Sequence, residues 1–230
     1  MAEFLSGVSL FPLVLTLLAF QVGRFCQQKW KNPVFNPILI GVILVIPVLL
    51  ATGVPYATYK KGTDAISWLL TPATVCMALP LYQQLKALKK SLPAALAGVV
   101  AGTVCSLGCI AGLCLLLGLS RTVSVSLLPK SITTAIGIVL SENAGGLPGL
   151  TTVAILVTGI SGNLLGPWLC KVLKLTSPVA QGVALGTACH VIGTSRATEM
   201  GEIQGAVGSL SLTVAGILTA FLFPVVIMLF

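Results

Sequence analysis

The chain has 230 residues, of which 56% are hydrophobic and only 8% charged, with 13 Lys and Arg against 5 Asp and Glu. Soluble domains carry about 25% charged residues, and so few charges cannot cover the surface of a soluble domain of this length. Together with a mean hydropathy of +1.06, this excludes a soluble enzyme, a disordered chain and a nucleic-acid module, and leaves a polytopic membrane protein.

A spanning helix needs about 20 apolar residues, so the chain has room for roughly seven or eight membrane elements. Its apolar runs are long and end at charges or at Gly and Pro. An outer-membrane barrel would instead show short alternating segments. The expected fold is therefore an all-α transmembrane bundle, one membrane domain over residues 1–230. The net charge of +8 sits in short clusters between apolar runs, where loop charges set orientation in the bilayer. Met1-Ala2-Glu3-Phe4 lacks the basic start of a signal peptide.

In chain order, the first apolar run covers 4–25 and ends at Arg24, Lys29 and Lys31. The second, 37–52, ends near Lys60, Lys61 and Asp64. The third, 65–82, contains Pro72 and Pro80 and ends at Lys86, Lys89 and Lys90. The fourth, 92–119, carries Ala94, Gly98, Gly102 and Ser106 at every fourth position, a stripe of small residues that lets another helix approach closely. A short interrupted segment, 127–140, opens with Pro129 and Lys130 and leads into the turn Ser141-Glu142-Asn143-Ala144-Gly145-Gly146. Next, 147–173 is apolar and flanked by Lys171 and Lys174. The run 179–197 is interrupted by Gly182, Gly186 and Gly193 and carries His190 and Arg196; 205–230 is the last run.

Placing the Arg24/Lys29/Lys31, Lys86/Lys89/Lys90 and Lys171/Lys174 clusters on the cytoplasmic side requires an even number of crossings between Lys90 and Lys171. The runs 92–119 and 147–173 supply two. The segment 127–140 must then enter and leave on one side, as its shortness suits. The expectation is about seven spans, with the N-terminus outside and the C-terminus inside; eight spans rank second. The runs 37–52, 65–82 and 92–119 against 147–173, 179–197 and 205–230 each read as span, broken span, small-residue span, an inverted repeat. Paired broken segments in inverted halves point to a transporter binding site, with breaks at Pro72, Pro80, Pro129, Gly186 and Gly193. Ordinary kinked helices are the blander reading.

Ionisable groups inside membrane segments are costly and therefore candidates for function. Lys130 opens the re-entrant segment, Glu142 closes it, and His190, Arg196 and Glu199 lie in or just beyond 179–197. Ser131, Thr133, Thr134, Thr194 and Ser195 surround the two cations in sequence. Hydroxyls, a fixed cation and half-helix N-termini suit a small carboxylate, which Arg grips with two parallel hydrogen bonds. In the competing reading, Lys130 and Arg196 snorkel to the interface. His190 either bonds an unwound backbone or switches protonation near neutral pH; Glu142 is the other candidate for proton coupling. The seven cysteines contain no CxxC and read as small apolar residues. A lone histidine makes no metal site, so neither metal nor cofactor is expected. The only Asp is Asp64, and there is no GxSxG or P-loop, so no enzyme is expected.

At these residues the chain resembles the LrgB/CidB family of bacterial membrane proteins. Pro129-Lys130-Ser131-Ile132-Thr133-Thr134 is similar to the family's P-K-S-x-T-T-P, with Ala135 in place of the last Pro. His190-Val191-Ile192-Gly193-Thr194-Ser195-Arg196-Ala197 resembles H-x-I-G-T-[AS]-R-A. Thr71-Pro72-Ala73-Thr74 through Pro80-Leu81-Tyr82 resembles G-P-A-T…P-L-Y, and Glu142, Gly145, Gly146 and Pro148 match E-x-x-G-G-x-P. The resemblance runs over nearly the whole chain. It implies two functions: an antiholin-like modulator of murein hydrolase activity and autolysis, or a carrier of small monocarboxylates such as pyruvate, glycolate or glycerate. It also implies a small LrgA/CidA-type membrane partner and a place in the bacterial cytoplasmic membrane.

The expected function is secondary transport of a small 2-oxo or 2-hydroxy monocarboxylate, with the two broken segments and the re-entrant loop forming the site and a proton as coupling ion. The expected site comprises Lys130, Ser131, Thr133, Thr134, His190, Gly193, Thr194, Ser195 and Arg196. The alternative is a lysis modulator without transport of its own. The expected partners are the carboxylate, the bilayer and the small membrane protein, with no nucleic acid; self-association stays open.

Overall fold

The computed structural model describes residues 10–30, 37–69, 72, 76, 82 and 92–230. The protein is all-α. It divides into two compact units, Met1–Cys76 and Met77–Phe230, each taken by itself below.

In the first unit, α1 (Phe11–Trp30) and α2 (Pro37–Thr52) pack together, followed by the short helices α3 (Tyr56–Gly62) and α4 (Asp64–Trp68). Two contacts pin α3 to the start of α1. The Thr16 and Tyr59 hydroxyls are 2.7 Å apart, and Gly62 lies against the Pro12 ring, where a Cβ would come within 2.5 Å of Pro12 Cγ. At 16 residues, α2 is shorter than a full span. Most of the expected broken run 65–82, including Pro80, lies outside the described residues; Pro72 is helical and exposed.

The second unit contains α5 (Leu92–Leu116), α6 (Arg121–Leu127), α7 (Thr134–Asn143), α8 (Pro148–Val172), α9 (Pro178–Met200) and α10 (Glu202–Val226). Among the described residues, α5, α8 and α10 with its short 3-10 extension are long and apolar enough to cross a membrane. Their outward faces are apolar, including Val100 and Val104 on α5, Val153 and Trp168 on α8, and Phe221 and Val225 on α10. Their inner faces carry small and hydroxyl-bearing residues: Thr103 on α5, Thr151, Gly159 and Asn163 on α8, Ser209, Ser211 and Thr219 on α10. Lipid tails leave no reason to hide apolar side chains, so helices associate through close packing and polar contacts instead.

The glycine contacts fix the directions of these helices. On α5, Gly98 meets Val183 and Gly102 meets Thr187, so α5 runs parallel to the first part of α9. The stripe of small residues seen in the sequence is this contact. Gly182 approaches the Gln204 carbonyl and Gly186 approaches the Gly208 backbone, so the first part of α9 also runs parallel to α10. The later part pairs in the opposite sense: Gly205 meets Thr198, and Gly208 meets Ala197 and Thr194. The same short stretch of α10 thus touches both ends of α9. Consistently, Gly193 packs against the Leu185 carbonyl, although eight residues of straight helix would hold them about 12 Å apart.

α9 is therefore a hairpin of two helical arms, α9a (178–188) and α9b (191–200), reversing at Cys189 (φ −129°, ψ 19°) and His190 (φ 44°, ψ −141°). His190 occupies a region that favours glycine. This corrects the sequence expectation. The run 179–197 does not cross; it enters beside Lys171 and Lys174 and returns to the same end. With α9 re-entrant, α10 starts at that end and finishes at the opposite one, so the C-terminus lies opposite Lys171 rather than with it. The expected count of about seven spans loses this member.

A second hairpin enters from the other end. Leu107 and Ala111 of α5 pack in one cluster with Val125 and Leu128, and Ser106 of α5 meets Ser131 just past α6, so α6 runs back antiparallel to α5. The chain turns at 128–133. α7 then comes back, with Gly137 against the Pro129 carbonyl and Ile155. Its return is tied to the start of α8 by Thr151 Oγ1 donating to Ser141 Oγ at 2.7 Å and by the Leu147 amide donating to Ser126 Oγ at 2.7 Å. The re-entrant segment expected at 127–140 is present, extended by α6. Because α5 is parallel to α9a and α8 antiparallel to it, the start of α5 and the Lys171 end of α8 share one side, as the charge clusters require.

Candidate functional site

The two hairpin tips meet about midway along α5 and α8. At the tip between α6 and α7, Ser131 Oγ lies 3.0 Å from Ser106 Oγ of α5. Lys130 Nζ donates to Ser131 Oγ at 3.3 Å. At the α9 tip, His190 is buried, and its Nε2–H donates to the Ile155 carbonyl of α8 at 2.8 Å. The Lys130 ammonium is within electrostatic reach of His190, Cys189 and Cys109. The structure thus brings together Lys130, Ser131 and His190, residues 60 positions apart at the extremes of that set, by opposing two turns.

Local chemistry explains each tip. Pro129 lacks an N–H and ends α6. Thr133 takes an extended backbone (φ −62°, ψ 144°) as the N-cap of α7, and its side chain makes no capping bond. The first N–H groups of α7 are accordingly left for another acceptor. Thr134 is the first residue of α7; it and Thr133 are half-buried. At the other tip, Thr194 Oγ1 donates to the His190 carbonyl at 3.0 Å, so its hydroxyl is already engaged. Gly193 is required by the close approach of α9b to the Leu185 carbonyl, where any Cβ would collide.

Three expected members lie elsewhere. Arg196 is about 8 Å of helix rise from the start of α9b, and its guanidinium pairs with Glu199 Oε2 at 2.5 Å. Ser195 is exposed. Glu142 is exposed near the end of α7, about 12 Å of rise beyond Thr134. None of these three is drawn to the tips by a contact with Lys130 or His190. Among the described residues, no group of three or more His, Cys, Asp or Glu is placed to hold a metal ion.

Sequence reasoning missed residues on the surrounding spans. A cavity of about 10 Å³ lies between the tips, lined by Thr103 and Ser106 of α5, Ser131, Thr187 of α9a, and Thr219 of α10. In the sequence, Thr103 and Thr219 are isolated hydroxyls in apolar runs, and only the helix directions bring them to the tips.

Residues 16–229 match the LrgB-like family. The chain is 36% identical to a holin-like protein CidB of Staphylococcus epidermidis over 230 residues, all of both chains. It is 36% identical to the antiholin-like protein LrgB of Bacillus subtilis over 220 residues, covering 95% of each. A holin-like protein CidB of Staphylococcus aureus is 35% identical over 222 residues, covering 96% of this chain and 97% of the relative. No solved structure matches the chain. Matched over nearly its full length and carrying that family's motifs at the two hairpin tips, the chain belongs to the LrgB-like family.

Proposed function

We propose that the chain acts in the bacterial cytoplasmic membrane as a holin-like or antiholin-like modulator of murein hydrolase activity and autolysis, and that its own molecular activity there is the passage of a small monocarboxylate. The first part, the holin-like or antiholin-like role, has the stronger support, since relatives matched over 95–100% of this chain carry those names. The second rests on one observation: two re-entrant hairpins from opposite ends meet at Lys130, Ser131 and His190.

Discontinuous helices meeting near the bilayer midplane are how secondary carriers build solute sites, with half-helix N-termini facing the anionic group. Lys130 supplies the charge, and the uncapped start of α7 supplies N–H donors. Pyruvate, glycolate and glycerate share the carboxylate and a neighbouring oxygen that these groups suit. His190 holds the α9 tip on α8 through Nε2 and leaves Nδ1 as the ring position at which a coupled proton would bind. Arg196, near the open end of α9b, serves as an outer cation on the approach. A small LrgA/CidA-type protein is the proposed partner.

The test is uptake of labelled pyruvate and glycolate into proteoliposomes, with and without that partner, for wild type and Lys130→Gln. Uptake that Lys130→Gln abolishes supports the carrier. If neither preparation exceeds protein-free vesicles, the transport half fails and the modulator without transport of its own stands.

A further inference from the structure

We propose that the cavity between the hairpin tips binds one dehydrated alkali-metal cation through the hydroxyls of Thr103, Ser106, Ser131, Thr187 and Thr219. The site rests on its own geometry; only a coupling role would rest on the carrier reading above.

Thr103 and Thr187 are 4% and 5% exposed, and their Oγ1 atoms have no partner. This sets them apart from their neighbours. In a helix, a Ser or Thr hydroxyl can donate to the carbonyl one turn back, and this protein uses that solution repeatedly. Thr152 bonds Pro148, Thr194 bonds His190, Thr198 bonds Thr194, and Ser211 bonds Val207. Thr103 and Thr187, on two different helices, forgo that bond and line the same cavity. Buried hydroxyls without partners are costly, so the cavity calls for an occupant that engages them.

The cavity has room for one water-sized species, about the smallest volume that admits a water. Its polar lining is oxygen only, with no thiol, imidazole or carboxylate. Oxygen ligands suit hard cations. A neutral set cannot offset a divalent charge, which leaves a monovalent ion. The helix ends add direction. Leu128 and Pro129, just past the end of α6, and Thr187, in the last turn of α9a, form part of the wall. C-terminal helix ends carry partial negative charge and favour a cation, while the N-terminal end of α7, just past Ile132 of the wall, acts the other way.

Lys130 is the opposing influence. Its ammonium is 3.3 Å from Ser131 Oγ, so a bound cation has a positive neighbour. That predicts weak binding in the wild type and tighter binding once the ammonium is removed, a response that a bound water would not give.

The experiment uses the full chain purified in detergent, melted in sodium, potassium or N-methylglucamine chloride at equal ionic strength, with no carboxylate present. Sodium or potassium should raise the melting temperature saturably over N-methylglucamine. Thr103→Val and Thr187→Val should weaken the half-saturating concentration by roughly tenfold, the effect of losing one good ligand, while melting as wild type does in N-methylglucamine. Lys130→Gln should strengthen it, and this variant decides the matter if the valine changes prevent folding. Identical melting in the three salts, or a saturable shift that Lys130→Gln leaves unchanged, overturns the cation and leaves a water-filled cavity. A failure of carboxylate uptake would not touch this result.

Discussion

Gly186→Ala is the sharpest test of the α9 hairpin. A Cβ at this position would strike the Gly208 carbonyl oxygen and come within 2.8 Å of Gly208 Cα. Both are backbone, so no side-chain rotation relieves the clash, and α9a must move off α10. Overpacking in a tight interface costs about 1–3 kcal/mol; with backbone on both sides the upper end applies. For a chain of this size about 3 kcal/mol corresponds to roughly 6–12 °C in melting temperature. The control is Gly108→Ala on α5, where an added Cβ meets nothing within 4 Å. Removing a glycine from a helix interior there should stabilise by about 0.5–1 kcal/mol. Thermal melting of the two purified variants and wild type, in one detergent, gives the answer. If Gly186→Ala melts with wild type, α9a does not touch α10 as described, and the parallel pairing from which the hairpin was deduced is wrong.

Single cysteines at Lys174 and Phe230, in a background without the seven native thiols, should react with an impermeant maleimide from opposite sides of the membrane; labelling from one side would make α9 a span. His190→Gly and His190→Ala both lose the bond to Ile155, but glycine also relieves the positive φ. The glycine variant should therefore be the more stable by about 1 kcal/mol in thermal melting, and the reverse order would remove the strain argument. Arg196→Gln should shift stability by no more than about 1 kcal/mol, because its ion pair with Glu199 is solvent-accessible; a larger loss on melting would mean its buried Nε has an essential role. A disulfide joining Ser106→Cys to Ser131→Cys should stop carboxylate uptake reversibly, as checked by uptake before and after reduction; unaltered uptake with the disulfide formed would show that this tip does not move.

What was legible in the sequence follows from which constraints were available. The re-entrant segment at 127–140 could be found because Lys90 lies before it and Lys171 after it, and parity forbids a third crossing. The stripe at Gly98 and Gly102 could be found because helical spacing alone puts both on one face; the structure fills that face with Val183 and Thr187. The α9 hairpin had no such bracket, since no Lys or Arg follows Arg196. Hydropathy cannot tell a kinked span from a hairpin of the same length, and the difference lies in two backbone torsions at Cys189 and His190. One signal was present: a crossing puts Arg196 on the side away from Lys171, while a hairpin returns it to the Lys171 side, where basic residues concentrate. Thr103 and Thr219 were beyond reach, because membership of the cavity depends on three helix directions at once.

The two tips differ in what holds them, and the difference bears on how a carrier of this design would work. The α6–α7 tip rests on α5 through one hydroxyl pair, Ser131 to Ser106, and through the side chain of Leu128 packed with Leu107 and Ala111. The α9 tip rests on α8 through an imidazole bond to Ile155, through Cys189 packed into Gly162, and through His190 packed into Gly159. Its arms are further bound to α10 along Gly182, Gly186, Gly205 and Gly208. Moving α9 would break a close backbone interface, whereas moving the α6–α7 tip would break one neutral hydrogen bond, worth about 1 kcal/mol, and the side-chain packing of Leu128 and Ile132, and would open the cavity on the side from which that hairpin enters. In a carrier of this design the α9 hairpin would be the fixed wall, and Lys130 would ride on the part that moves. A solute bound to Lys130 would travel with the gate, so occupancy of the site and the position of the α6–α7 hairpin are linked.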